Sequence, residues 1–214
     1  MRAIKRIKPV GRALNKSMKT LLFSIFIICL AGPAAAQEIE TPVDVHIPIF
    51  LKVLSFDRNL KKRVGNGDEI VLAIVFQEKF RKSLNVKNQA EKFLAQLTGN
   101  KITDIPLRTV PLALDDLAGL KTALLKEKVL VMYITPLRAV DITDLVIICR
   151  SFHITSLTGV SGYCKAGVAV SVGSKGGIPA IIINRDAAET EGADFSSQLL
   201  KLATLIHTMK GIEK

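Results

Sequence analysis

Apolar residues recur near helical spacing from Val43 to Val64, at Val43, Ile47, Phe50, Leu51, Leu54 and Leu60, and Gly65-Asn66-Gly67 supplies a stop. The spacing predicts one helix there, with Pro48 in its first turns, where a missing N–H does little harm. Glu69 to Phe76 is then an almost uninterrupted apolar, β-prone run, as expected of a strand covered on both faces. A polar stretch from Asn85 to Leu97 carries Ala90, Phe93, Leu94 and Leu97 on one helical face, and Leu107 to Pro111 reads as a short strand. Asp115 or Asp116 can cap a helix presenting Leu117, Leu120, Leu124 and Leu125. Val129 to Ile134 is a second fully apolar strand, ended by Thr135-Pro136. Asp141 opens a helix with Leu145, Ile148 and Cys149, and Ile154 to Leu157 makes a further strand.

Buried strands alternating with amphipathic helices predict an α/β three-layer sandwich with a largely parallel sheet. The tail breaks the alternation. Val168, Val170 and Val172 alternate with small residues, the glycine-rich stretch 173–177 turns the chain, and Ile178 to Ile183 returns. A C-terminal β-hairpin therefore makes the sheet mixed. Two final helices follow, separated by Gly192; Phe195, Leu199, Leu200, Leu202, Ala203 and Ile206 are the expected apolar stripe of the last.

The first 36 residues follow different rules. Seven basic residues and no acidic one precede the apolar run Leu21 to Leu30, after which come Gly32, Pro33 and three alanines. This order is that of a secretory signal peptide, with cleavage expected between Ala36 and Gln37. The run is about half the ~20 apolar residues a bilayer span needs. Met18-Lys19-Thr20 would begin a more ordinary leader, so Met18 is an alternative start. Residues 37–42 form a short extension, and 43–210 are expected to be a single domain in the periplasm.

Removing the leader changes the electrostatics. The chain carries 30 basic and 19 acidic residues, net +11; without the seven of the leader, 23 basic residues remain and the net charge is +4. No basic stripe with interleaved aromatics is left, so nucleic acid is not an expected partner.

Two cysteines survive cleavage, Cys149 and Cys164, and an oxidising compartment makes them a disulfide candidate. A loop of that size would contribute roughly 3 kcal/mol in the chain-entropy account. His46, His153 and His207 lack the clustered partners a metal would need, so no metal is expected. The turn at 173–177 joins two strands and offers no helix end to a phosphate, so no nucleotide cofactor is expected. No Gly-x-Ser-x-Gly elbow is present, and carboxylate pairs such as Asp115/Asp116, Asp141/Asp144 and Asp186/Glu189 stand where helix starts favour negative charge. No catalytic residue is therefore assigned, and the chain is read as non-enzymatic.

Gly167 to Ala203 carries a hydrophobic hairpin strand ending in Ile183-Asn184, an Ala187-Ala188 helix closed by Gly192, and Phe195-Ser196-Ser197-Gln198-Leu199-Leu200 leading into the last helix. This block resembles the C-terminal region of the YfiR family of exported bacterial proteins. The resemblance implies a periplasmic regulator acting by contact with a membrane-anchored partner, such as the periplasmic domain of a diguanylate cyclase that it would hold inactive. It also implies that disulfide oxidation would bear on stability and activity. Phe50 and Phe56 on the first helix are candidate contact residues for such a partner. The alternative is a small-ligand-binding accessory protein of a transport system. Its crevice would lie beyond the strand carboxyl ends, near Gln77, Glu78, Thr135 and Pro136, where open α/β sheets bind ligands.

Overall fold

A computed structural model describes residues 39–65, 69–97, 99 and 101–207. The expected signal peptide, its cleavage site at Ala36 and Gln37, and the alternative start at Met18 lie outside these residues. Among the described residues no helix is long and apolar enough to cross a membrane.

The apolar runs become strands for the reason their composition suggests. In β1 (Ile70–Phe76) every residue is buried, with Ile70, Leu72 and Ile74 facing one core and Val71, Ala73 and Val75 the other. β4 (Val131–Ile134) divides likewise, Val131 and Tyr133 from Met132 and Ile134. A period of two with both faces apolar can be satisfied only by helices on each side. One layer holds α1 (Val43–Ser55), α2 (Leu60–Val64), α3 (Arg81–Gln96), α7 (Arg185–Thr190) and α8 (Ser197–Leu202). The other holds α4 (Leu117–Lys126), α5 (Ile142–Phe152) and α6 (Ser161–Lys165).

The remaining strands are β2 (Lys101–Ile102), β3 (Ile105–Ala113), β5 (Thr155–Thr158), β6 (Val170–Lys175), β7 (Ile178–Asn184) and β8 (Thr204–Ile206). The eight-stranded sheet has the order β2-β3-β1-β4-β5-β6-β7-β8. β3, β1, β4, β5 and β6 are parallel; β2 and β7 run antiparallel to β3 and β6. The α/β sandwich with a mixed, largely parallel sheet is thus the observed fold. The hairpin turns on two residues, Gly176 (φ 60°) and Gly177 (φ 80°), both in the left-handed region that a two-residue hairpin demands.

Local signals place four of the eight described helix starts. The Asp116, Asp141, Asn184 and Ser196 side chains accept from the first-turn N–H groups of Gly119, Thr143, Ala187 and Leu199.

Several expectations are corrected. The helix expected across 43–64 is two helices, because Asp57 leaves the helical path to accept from the N–H groups of Asn59 and Asp194 and from Arg63 Nη1. α3 begins at Arg81, a turn before the first residue expected. The last helix stops at Leu202, and Thr204–Ile206 pairs in parallel with β7 at the sheet edge. Hydrogen bonds offered by that edge override the helical spacing of Ile206.

The expected bridge between Cys149 and Cys164 is not formed; both are buried free thiols. α6 turns Cys164 toward the hairpin, its Sγ 3.7 Å from the Ile182 carbonyl oxygen, while Cys149 packs with α5 in the other core. Burial pushes the Cys164 thiol up to about 11, and it also raises the Cys149 thiol well above its ordinary value.

Candidate functional site

The strand order places one break in the direction of winding. From β1 the chain crosses through α3 to β3 on one side, then through α4 to β4 on the other. The connections leaving β1 and β4 lie on opposite faces, so among the described residues no helix closes the space beyond their carboxyl ends. Open α/β sheets bind ligands at such a switch point.

A crevice of about 320 Å³ occupies that place. Gln77, Glu78, Lys79 and Phe80 line it from the exit of β1, Leu114 and Asp115 from the exit of β3, and Arg138 and Ala139 from the exit of β4. Its size lies at the lower end of the range for small-molecule sites.

The floor is held by a chain of buried hydrogen bonds. Gln77 N–H donates to Ser83 Oγ at 2.8 Å, and Ser83 Oγ and Thr135 Oγ1 are 2.6 Å apart. Thr135 Oγ1 donates in turn to the Val75 carbonyl at 2.9 Å, which makes Ser83 the donor to Thr135. The first turn of α3 is thereby tied to the ends of both β1 and β4. The side chain of Gln77 closes the rim: its Oε1 accepts from Arg138 N–H at 2.7 Å and its Nε2 donates to the Arg138 carbonyl at 3.0 Å. Beyond that clamp Ala139 sits at φ 56°, a strained value for a residue with a Cβ. Floor and rim are therefore set before any ligand arrives, which lowers the ordering cost of binding.

Thr135→Val keeps the shape but removes the acceptor of the Ser83 hydroxyl. The expected cost is about 1–3 kcal/mol of unfolding free energy. Urea denaturation checks this, and an unchanged midpoint would show that the floor network is not holding the crevice.

Of the four residues expected at the crevice, Gln77 and Glu78 line it, whereas Thr135 and Pro136 are buried beneath it. Phe80, Leu114, Asp115, Arg138 and Ala139 were missed, because the pairing of β1 with both β3 and β4 brings them together and nothing local marks it. Phe50 is only 1% exposed and belongs to the core, so a partner cannot reach it in this fold. Phe56 is half-buried, packed on the same core, with Lys52 Nζ 5.2 Å above its ring.

His46 is a buried member of a polar core network. Its Nδ1 must donate to the Thr41 carbonyl at 2.9 Å, so its Nε2 accepts from the Tyr133 hydroxyl at 2.7 Å. Desolvation holds its pKa below the usual histidine value. His153 Nδ1 lies 3.3 Å from the Thr190 carbonyl, and His207 Nδ1 3.0 Å from Asp186 Oδ1. Among the described residues no three potential metal ligands are gathered.

No family model matches this chain, and no curated protein matches it. Solved structures do resemble it. A conserved domain protein from Vibrio cholerae O1 biovar El Tor strain N16961 aligns at TM-score 0.53 and 14% identity, over 77% of this chain and 60% of that one. An ABC domain in complex with L-Trp from Streptococcus pneumonia aligns at TM-score 0.51 and 14% identity, over 73% and 59%. The likeness is one of fold. This chain spans about 60% of the length of either structure.

Proposed function

We propose that this chain is a periplasmic binding protein that takes a small ligand in the switch-point crevice, as an accessory to a transport system. The observation that carries the reading is the coincidence of three features at one place: the reversal of winding, the crevice of about 320 Å³, and a floor and rim fixed by Gln77, Ser83 and Thr135. The similarly folded ABC domain from Streptococcus pneumonia holds L-Trp, which supports a binding role for this architecture. Export follows from the leader, and no catalytic constellation is needed for the role.

A thermal-shift panel tests it, with the twenty amino acids, short monocarboxylates, polyamines and simple sugars, each at millimolar concentration. A ligand at 100 times its Kd stabilises by about 2.7 kcal/mol, roughly 5–11 °C for a domain of this size. The matching control is Ala139→Cys carrying a bulky maleimide, since the native Cys149 and Cys164 are buried and slow to react. At least one compound is expected to stabilise the unsubstituted protein and not the blocked one. The reading fails if none stabilises, or if all stabilise both equally.

A second reading, regulation by contact with a membrane-anchored partner such as a diguanylate cyclase, draws on one surface feature. Within and just beyond the block that resembles the YfiR family, Leu202 is 77% exposed and Leu205 40%, beside β8, the last strand of the sheet among the described residues. If such a partner docks, that edge is its surface, and Phe50 is not.

A further inference from the structure

Resting on the binding reading above, we propose that the crevice takes a dipolar ligand bearing both a carboxylate and an ammonium group on an apolar frame, the chemistry of a free amino acid. The strand order β3-β1-β4 distributes the charges of the lining. Asp115 stands at the exit of β3, Glu78 and Lys79 at that of β1, and Arg138 at that of β4. The outer two exits are separated by two strand spacings, roughly 10 Å, so acid and base flank the opening.

Four charges, two of each sign, thus surround one small space. None of the four side chains forms an ion pair or hydrogen bond with another described residue. Four of the other six described arginines, Arg58, Arg63, Arg108 and Arg185, each engage a carboxylate. A simple anion in the crevice would meet Glu78 and Asp115, and a simple cation would meet Lys79 and Arg138. Like-charge contacts of this kind discriminate against both. A ligand with both groups can present each to its opposite, while Phe80, Leu114 and Ala139 offer an apolar wall for the rest of it. The first turn of α3 begins beside this lining, at Phe80. It has no side-chain cap and no acidic residue, so its N–H groups favour a carboxylate.

The test uses the panel and the blocked variant described above, then derivatives of the best compound. Compounds whose stabilisation disappears on blocking are expected to be amino acids. The amide and the N-acetyl derivative of the best one, each lacking one charge, are expected to bind at least tenfold more weakly by calorimetry. Asp115→Asn and Arg138→Gln should each weaken the parent compound at least tenfold, with the ligand-free melting temperature unchanged because both side chains are exposed. If the compounds lost on blocking are monocarboxylates, polyamines or sugars, the crevice binds but the dipolar class is wrong. The class is also wrong if either derivative binds as well as the parent. If no compound is lost on blocking, the binding reading falls with it.

Discussion

Between about pH 6.5 and 8 the protein is expected to lose stability as pH rises, and Glu191→Gln is expected to remove that loss. Glu191 ends α7 and is fully buried. Its Oε2 accepts from Ser156 N–H at 2.8 Å and its Oε1 from Ser156 Oγ at 2.7 Å. Ser156 Oγ accepts in turn from Ala169 N–H at 2.8 Å, so one carboxyl joins α7 to β5 and to the entrance of β6. Desolvation outweighs these bonds and the attraction of Arg150 and Arg63, and its pKa is pushed up to about 8 from 4.5.

A group with a raised folded-state pKa stabilises fully below its unfolded value, and the contribution is lost as pH climbs toward the folded value. In that window the unfolded chain has released the proton and the folded chain has not. The expected slope approaches 1.4 kcal/mol per pH unit, about 2 kcal/mol across the window. Above about pH 8 the loss levels off, and Glu191→Gln, neutral throughout, should match or exceed the parent there. Urea denaturation at half-unit pH steps decides the matter: a flat parent profile, or a slope that survives in Glu191→Gln, would refute it. The neighbouring Cys149 thiol, itself pushed up by burial and then by Glu191, stays protonated over this range.

A larger single-site loss is expected at Tyr133. Its ring is fully buried in β4, with centroids 5.6 Å from His46 and 5.9 Å from Phe50. Truncating a buried aromatic to alanine costs about 3–5 kcal/mol. Tyr133→Ala should lie at or above the top of that range, since it also strips His46 Nε2 of its donor. Tyr133→Phe separates the two contributions: it keeps the ring and orphans the imidazole, for an expected loss of about 1–3 kcal/mol. Little room exists to relax, because a Cβ added at Gly159 would come within 2.8 Å of His46 Cε1.

This network also has an acid side. His46 has a lowered folded-state pKa, so its contribution is complete above about pH 6.5 and falls away as pH drops below it. Chemical denaturation of both variants at pH 7 is the check. Equal stability of Tyr133→Phe and the parent would mean that the hydroxyl is not a working partner of His46.

Legibility of the fold from the sequence followed the range of the interactions. The β1 and β4 runs, the Gly176-Gly177 turn, and the caps at Asp116 and Asp141 each depend on residues a few positions apart. The break in the first helix depended on Asp57 meeting Asp194, 137 positions away. Ile206 kept helical spacing with the preceding stripe and still became strand, because the edge of β7 was there to pair with it. Cys149 and Cys164 are close in sequence, yet α6 aims one thiol at the hairpin while the other stays in the α5 core.

The crevice divides along the same line. Gln77 and Glu78 could be named from their position after a buried strand, and Thr135 and Pro136 from the same argument. Only the first two reach the surface, because Thr135 is drawn under the floor by Ser83 and the Val75 carbonyl.

Periodicity and local capping by themselves determined that this chain would form buried strands between two helical layers, since a strand apolar on both faces has no other way to leave water. Charge and composition of its first 36 residues determined the expectation of export. Tertiary structure alone decided that β1 would pair with both β3 and β4, and with that choice where the winding reverses. The reason is physical: strand order is selected by the fit of whole helices against whole sheet faces, a property of no short segment. Asp115, Glu78, Lys79 and Arg138, drawn from three separate loops, share one crevice only because of it.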